Sequence, residues 1–434
     1  MLPTAGELQR SRGATQQRAL AYRTCARYRC GLLHMGAFPK DVWFYLGSRF
    51  CAATALTLLR ATVGWHLFAL TRSPFQLGLL GIAQFVPAFS LLLVGGMVAD
   101  RYERRRVVML AQTVPLFGGA LAAWTTNAGH VGPAGLFALA AVAAAAAAFD
   151  NPARASLLPN LVPPELFPRA VTVATTVQAL AFATGPMLSG LAIAHSGLPA
   201  AYAMVSLLLL LAIGALACVR PSLPRGRGQG LTFRAIREGV EFVFSRPVIW
   251  GCMLLDMLAV IFGGAAALLP IYANEILQVG PRGYGVLSAS LEVGALIASL
   301  VLIARPPVRN AGRALLTAVS VFGLATVVFG LSRFFPLSVV AYMVAGMADQ
   351  VSVVMRSTII QLNTPDALRG RVSSVNFMFI NASNQLGAAE SGFVAALTSP
   401  TFSVVSGGVV CLLVAWLVAW RVPALRQYRI SARA

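Results

Sequence analysis

Apolar residues come in runs of about twenty, and polar residues are crowded into the gaps between them. The runs fall near 44–70, 77–99, 107–126, 132–150, 171–194 and 200–219, then 248–273, 284–304, 314–331, 337–357, 373–397 and 402–420. At about 1.5 Å of rise per residue, such a run crosses the ~30 Å hydrocarbon core of a bilayer as a helix. Turn-forming stretches separate them: "RSP" at 72–74, "NAGHVGP" at 127–133, "HSGLP" at 195–199, "GPRGYG" at 280–285, "FFP" at 334–336 and "SPT" at 399–401. The pattern predicts an all-α membrane protein with twelve transmembrane helices.

Composition agrees. The chain is 58% hydrophobic and only 11% charged over 434 residues, where a soluble chain carries about a quarter charged residues. One aqueous core cannot hide that much apolar surface. The net charge of +20 would point to nucleic acid in a soluble protein, but its distribution gives a topological reason instead. One alternating set of loops, with both chain ends, holds 29 of the 34 basic residues. They include Arg101, Arg104, Arg105, Arg106, Arg154, Arg169, Arg305, Arg309, Arg313, Arg356, Arg369 and Arg371. The opposite loops hold Arg72, Arg282 and Arg333 alone. Basic residues accumulate on the cytoplasmic side, so both termini are expected there, with no nucleic-acid partner.

The longest gap divides the spans six and six. The expected parts are a basic, disordered cytoplasmic arm (1–41), a six-helix bundle (42–219), a linker (220–247), a second bundle (248–421) and a cytoplasmic tail (422–434). The arm lacks a signal peptide's apolar stretch, and translation from Met35 is the alternative. In the linker, "LTFRAIREGVEFVF" alternates Phe233, Ile236, Val240 and Phe244 with charged residues, as a membrane-surface helix or an ordinary linker helix does.

A shift of 202 residues aligns "RASLLPNLVPPELFPRA" from Arg154 with "RSTIIQLNTPDALRGRV" from Arg356. In the following spans Gly185 meets Gly387 and Gly190 meets Gly392. The halves are therefore parallel repeats about an axis along the membrane normal, an arrangement suited to two bundles rocking around a central site.

Between the second and third spans lies "GMVADRYERR", Gly96 to Arg105. It resembles the signature of the major facilitator superfamily at this place, G-x-x-x-D-R-x-x-R-R, with Glu103 where a glycine is usual. Residues 42–425 resemble the bacterial drug-efflux and siderophore-exporter-like branch (transmembrane secretion effector type), in "GWHLFALTRSPFQLGLLGIAQFVPA", "FDNPARASLLPNLVP" and "RSTIIQLNTPDALRGRVSSVN". Physically, Asp100 can accept hydrogen bonds at a helix N-terminus, and Arg104 or Arg105 can pair with Asp150. The resemblance implies a conformational latch closing the outward-facing state, built from Gly96, Asp100, Arg101, Arg104, Arg105, Asp150, Arg154 and Arg356. A purely topological role for these charges is the alternative.

Ionisable groups inside spans are costly and mark function by default. Arg60 and His66 lie in the first span, Asp256 in the seventh, Glu292 in the eighth, Asp349 in the tenth and Glu390 in the eleventh. Low dielectric favours a carboxyl's neutral form, so such groups can trade protons near neutral pH. Asn381, Asn384 and Gln385 can bind substrate or join helices. "ALAFATGPMLSGLA" places Gly185, Pro186 and Gly190 in the fifth span as a kink, and resembles the antiporter motif of exporters. That resemblance implies export by proton antiport.

No metal spacing or phosphate-binding loop appears, and cysteines read as small buried thiols. No cofactor is expected, and no enzyme constellation is found. The reading is a monomeric secondary transporter of the bacterial inner membrane, moving a small amphipathic compound against protons. The alternatives are an uptake carrier or uncoupled facilitator of the same fold, and an integral-membrane enzyme or assembly factor acting on lipid.

Overall fold

The computed structural model describes residues 38–220, 233–305, 308–365 and 368–430. The basic arm up to residue 37, residues 221–232 of the linker, the end of the tail from residue 431 and the side chain of Asp100 lie outside the described residues.

The first half holds α1 (Lys40–Thr71), α2 (Pro74–Arg101), α3 (Arg104–Asn127) and α4 (Pro133–Leu157). Phe167–Ala217 follows as one run of 51 residues, broken at Gly197, where φ is 83°. Its arms are α5 (167–196) and α6 (198–217). An L side chain is strained at that φ and glycine is not, so one residue turns the chain where the sequence predicts a five-residue turn. Past the linker helix α7 (Phe233–Ser245) come α8 (Pro247–Gly263), α9 (Gly280–Ala304), α10 (Ala311–Leu331), α11 (Phe335–Leu362), α12 (Arg369–Leu397) and α13 (Pro400–Arg421).

Ten helices among the described residues are long and apolar enough to cross a membrane. One of the ten is the α5–α6 pair, and α12 is a 29-residue helix too polar to meet that measure. Twelve spans result. The polarity of α12 comes in part from Asn381, Asn384, Gln385 and Glu390.

The seventh span departs from a plain helix. "FGGAA", read from sequence as helix packing, ends α8 at Gly264, and the chain continues in short 3-10, α and π turns through Ile276. Backbone freed inside a membrane must find partners, and Ser391 Oγ donates to the Gly264 carbonyl at 2.8 Å.

Neighbour relations repeat between the halves. α1 packs on α5, α2 on α4, and α3 on α4 and α6; α8 packs on α12, α9 on α11, and α10 on α11 and α13. The halves meet through α2 against α12 and α5 against α9. Away from the arginine loops, one apolar cluster draws on both halves, with Leu59, Trp65 and Phe68 beside Leu268, Tyr272 and Leu287. At the arginine-rich end the clusters are separate, one around Tyr45, Val108, Leu157 and Leu216 and another around Cys252, Leu315 and Ile359. The linker helix α7 packs Val240 and Val243 onto the second half, while Phe244 is left exposed.

Candidate functional site

The contacts between the halves form a seal at the end away from the arginine loops. Gly190 on α5 and Gly285 on α9 face each other so closely that a Cβ on Gly190 would lie 2.5 Å from Pro281 O, and one on Gly285 would lie 2.9 Å from Pro186 O. Gly392 on α12 meets Gly78 on α2 in the same manner. The repeat relates Gly190 to Gly392, so the two contacts are symmetry mates. Gly185 and Gly387 act within their own halves instead, against α1 at Thr54 and Thr57 and against α8 at Val260 and Ile261. α5 is helical through Pro186; the residues expected to kink it serve as contact surface, and the break falls at Gly197.

Polar groups add to the seal. Tyr284 OH donates to Ala61 O at 3.0 Å, and the Arg282 guanidinium donates to His195 Nε2 at 3.1 Å. Arg72 lies 3.8 Å from Glu275. Phe75 and Phe393 pack at 5.1 Å between ring centres. Among the described residues, each side-chain hydrogen bond, ion pair and ring contact named between the halves lies at this end.

At the arginine-rich end the candidate latch side chains among the described residues stay within their own half. Asp150 does not pair with Arg104 or Arg105. It accepts from Arg154 Nε and Nη2, both at 3.1 Å, and from Gln112 Nε2 at 3.2 Å. Arg104 donates to Ser156 O at 2.9 Å and Arg105 to Ala217 O at 2.8 Å. Arg101 lies over the Tyr102 ring and Gly96 is buried. Arg356, buried on α11, forms an ion pair with Asp256 of α8 rather than with Asp349 on its own helix. Gln112 and the Asp256–Arg356 tie were beyond sequence reasoning, because both depend on helices brought together from distant parts of the chain.

The remaining intramembrane groups divide into two sets. Glu292 on α9 and Asp349 on α11 stand close enough to act on each other electrostatically, with Tyr342 beside both. Their helices touch where Gly346 meets the backbone of Leu291 and Gly294 that of Met343. Neither carboxyl has a cationic partner among the described residues. Glu390 is half-buried, with Ser391 Oγ 3.4 Å from its carboxylate. In the first half, His66 Nδ1 and Tyr202 OH are hydrogen-bonded at 3.1 Å, and Arg60 lines a crevice between α1, α2 and α4. Asn381 and Asn384 are exposed, and each donates its amide to the carbonyl four residues back, leaving its oxygen free. Gln385 is half-buried at the α2 contact, where its backbone carbonyl faces Gly81. Among the described residues no group of His, Cys, Asp and Glu could hold a metal ion.

Two six-helix halves, parallel repeats around a polar interior, narrow the fold, and the family comparison decides it: residues 45–388 match the Major Facilitator Superfamily. The chain belongs to the major facilitator superfamily. It is thus a membrane transporter and not an enzyme. It is 29% identical over 405 residues to proteins named enterobactin exporter EntS from Escherichia coli O139:H28 (strain E24377A / ETEC) and from Escherichia fergusonii, covering 88% of this chain and 92% of theirs. Its fold is like that of a bacterial homolog to the human lysosomal transporter Spinster, in an inward-facing and unoccupied conformation, at TM-score 0.69 and 16% identity over 91% of this chain and 99% of that one. A peptide transporter POT in complex with sulfate gives TM-score 0.68 at 14% identity over 89% and 95%. At such identities the likeness speaks for the fold.

Proposed function

We propose that this major facilitator protein exports a small amphipathic organic compound from the cytoplasm in exchange for protons, by alternating access. The carrying observation is the one-sided seal: the halves share an apolar cluster and glycine contacts at one end only. With the arginine loops on the cytoplasmic side of a bacterial inner membrane, this conformation faces inward and both termini are cytoplasmic. One chain holds both halves of the pathway, which favours a working monomer. The latch charges are then partners for the opposite half when that end closes. Glu292 and Asp349, paired without a cation, are the proposed proton carriers. The EntS relatives favour outward transport of siderophore-like or drug-like cargo.

The test is flux through purified protein in sealed vesicles with an imposed pH gradient, using enterobactin and a panel of amphipathic dyes. Wild type drives at least one probe with the gradient. Glu292→Gln and Asp349→Asn abolish the gradient's effect and keep probe-for-probe exchange. Gradient-independent flux in wild type would reduce the reading to facilitation, and unchanged coupling in both variants would remove these carboxyls from it.

A further inference from the structure

Arg60 stands apart from the other charges inside the membrane. Along α1 from residue 51 to 68 it alone is exposed, while Leu58, Leu59, Ala61 and Thr62 around it are buried. α1 is an inner helix, covered by α2, α4 and α5, so an exposed position at its centre opens to the space between the halves, not to lipid. Its depth fits this. Tyr284 reaches across from α9 to the carbonyl of Ala61, which puts Arg60 just beneath the seal, at the apex of the open space.

The guanidinium lacks a counter-charge. Among the described residues no carboxylate or hydrogen-bonding side chain acts on Arg60. The acids inside the spans stand elsewhere: Asp150 of α4 with Arg154 and Gln112, Asp256 with Arg356, Glu292 beside Asp349, and Glu390 beside Ser391. Asp100 lies sixteen residues along α2 from Gln84, roughly 24 Å away at helical rise. A cation at mid-membrane with no anion is expensive. An anion that arrives with the cargo would offset that cost.

The rest of the crevice indicates what carries the anion. Gln84 adds one amide, and its Nε2 donates to Leu80 O at 3.3 Å. Leu56 and Val63 flank Arg60 on its own face of α1, and α4 contributes a wall of alanines that includes Ala140, Ala143 and Ala147. Alanine side chains are short, so this wall takes a flat apolar body without polar demands. We infer that the cargo site selects organic anions: an acidic group on Arg60, assisted by Gln84, with an aryl or alkyl body against the α4 alanines. This rests on the transport reading above and narrows its substrate to amphipathic acids.

The probes are naphthalene-2-carboxylate and its neutral isostere naphthalene-2-carboxamide, bound to purified full-length protein by calorimetry at pH 7. A charge-assisted hydrogen bond separates them by roughly tenfold or more in favour of the carboxylate. Arg60→Gln removes the preference. Arg60→Lys keeps part of it, and both variants are checked for wild-type thermal unfolding, with Arg60→Lys carrying the test if Arg60→Gln fails to fold. Wild type that binds neither probe, or both alike, overturns the inference, as does an Arg60→Gln protein that keeps the preference. Flux separates this from the broader reading. Gradient-driven export of neutral or cationic dyes only would sink the anion site and leave antiport standing. Arg60-dependent carboxylate binding without gradient-driven flux would do the reverse.

Discussion

Arg154 and Arg356 are mates in the repeat, yet their carboxylates come from different places. Arg154 takes Asp150 from its own helix and reaches Ser48 of α1 at 3.5 Å. Arg356 takes Asp256 from α8, and the position that matches Asp150 is Ser352, whose buried hydroxyl has no partner. Between the halves the acid has exchanged the arginine's own helix for a neighbouring one. Removing one member of a buried pair costs about 3–5 kcal/mol, because the survivor's charge stays buried alone. Asp256→Ser should therefore lower the unfolding temperature of the detergent-purified protein sharply. Adding Ser352→Asp should restore most of the loss by rebuilding the first half's arrangement in the second, and no recovery would show the exchange to be coincidental. Sequence displayed the two arginines through the 202-residue shift, but not Arg356's partner, because Asp256 and Arg356 are a hundred residues apart and no spacing rule links α8 to α11.

Among elements, glycine pairs divide the labour. Gly185 and Gly387 set helix distances inside each half, whereas Gly190, Gly285, Gly78 and Gly392 set the distance between halves. A methyl at Gly387 faces backbone of α8 that cannot move far, so Gly387→Ala should destabilise the fold in thermal unfolding, by roughly 1–3 kcal/mol for overpacking. The same methyl at Gly392 meets a surface that parts in the proposed transport cycle. Gly392→Ala should leave thermal unfolding near wild type and raise the reactivity of a cysteine placed at Phe393 toward a membrane-impermeant thiol reagent, in a cysteine-free background. Equal thermal losses in both variants would erase the distinction. The repeat pointed to Gly185, Gly190, Gly387 and Gly392 directly. It was silent on Gly78 and Gly285, since their helices carry no aligned motif. The break at Gly264 was hidden for another reason: residues 257–271 around it are apolar throughout, so hydropathy reads straight across a discontinuity that hydrogen bonding defines.

The whole molecule is two bodies that meet at one closed end, and the proposed cycle hinges them there. Phe75 and Phe393 straddle the divide there, so a disulfide between Phe75→Cys and Phe393→Cys should halt transport and release it on reduction; undiminished flux when oxidised would mean that this end need not open. Span number was legible because it follows from bilayer thickness, which acts on local sequence. The conformation was not legible, since both ends of the cycle use the same spans. The shared cluster of Trp65, Phe68, Tyr272 and Leu287 also gives the cycle a thermal signature. Opening that end wets apolar surface, which raises heat capacity, while the opposite end offers mainly guanidinium groups to bury in return. The balance between the two shapes should then bend with temperature rather than follow a straight van 't Hoff line, and chilling the membrane should tilt the carrier toward its outward form.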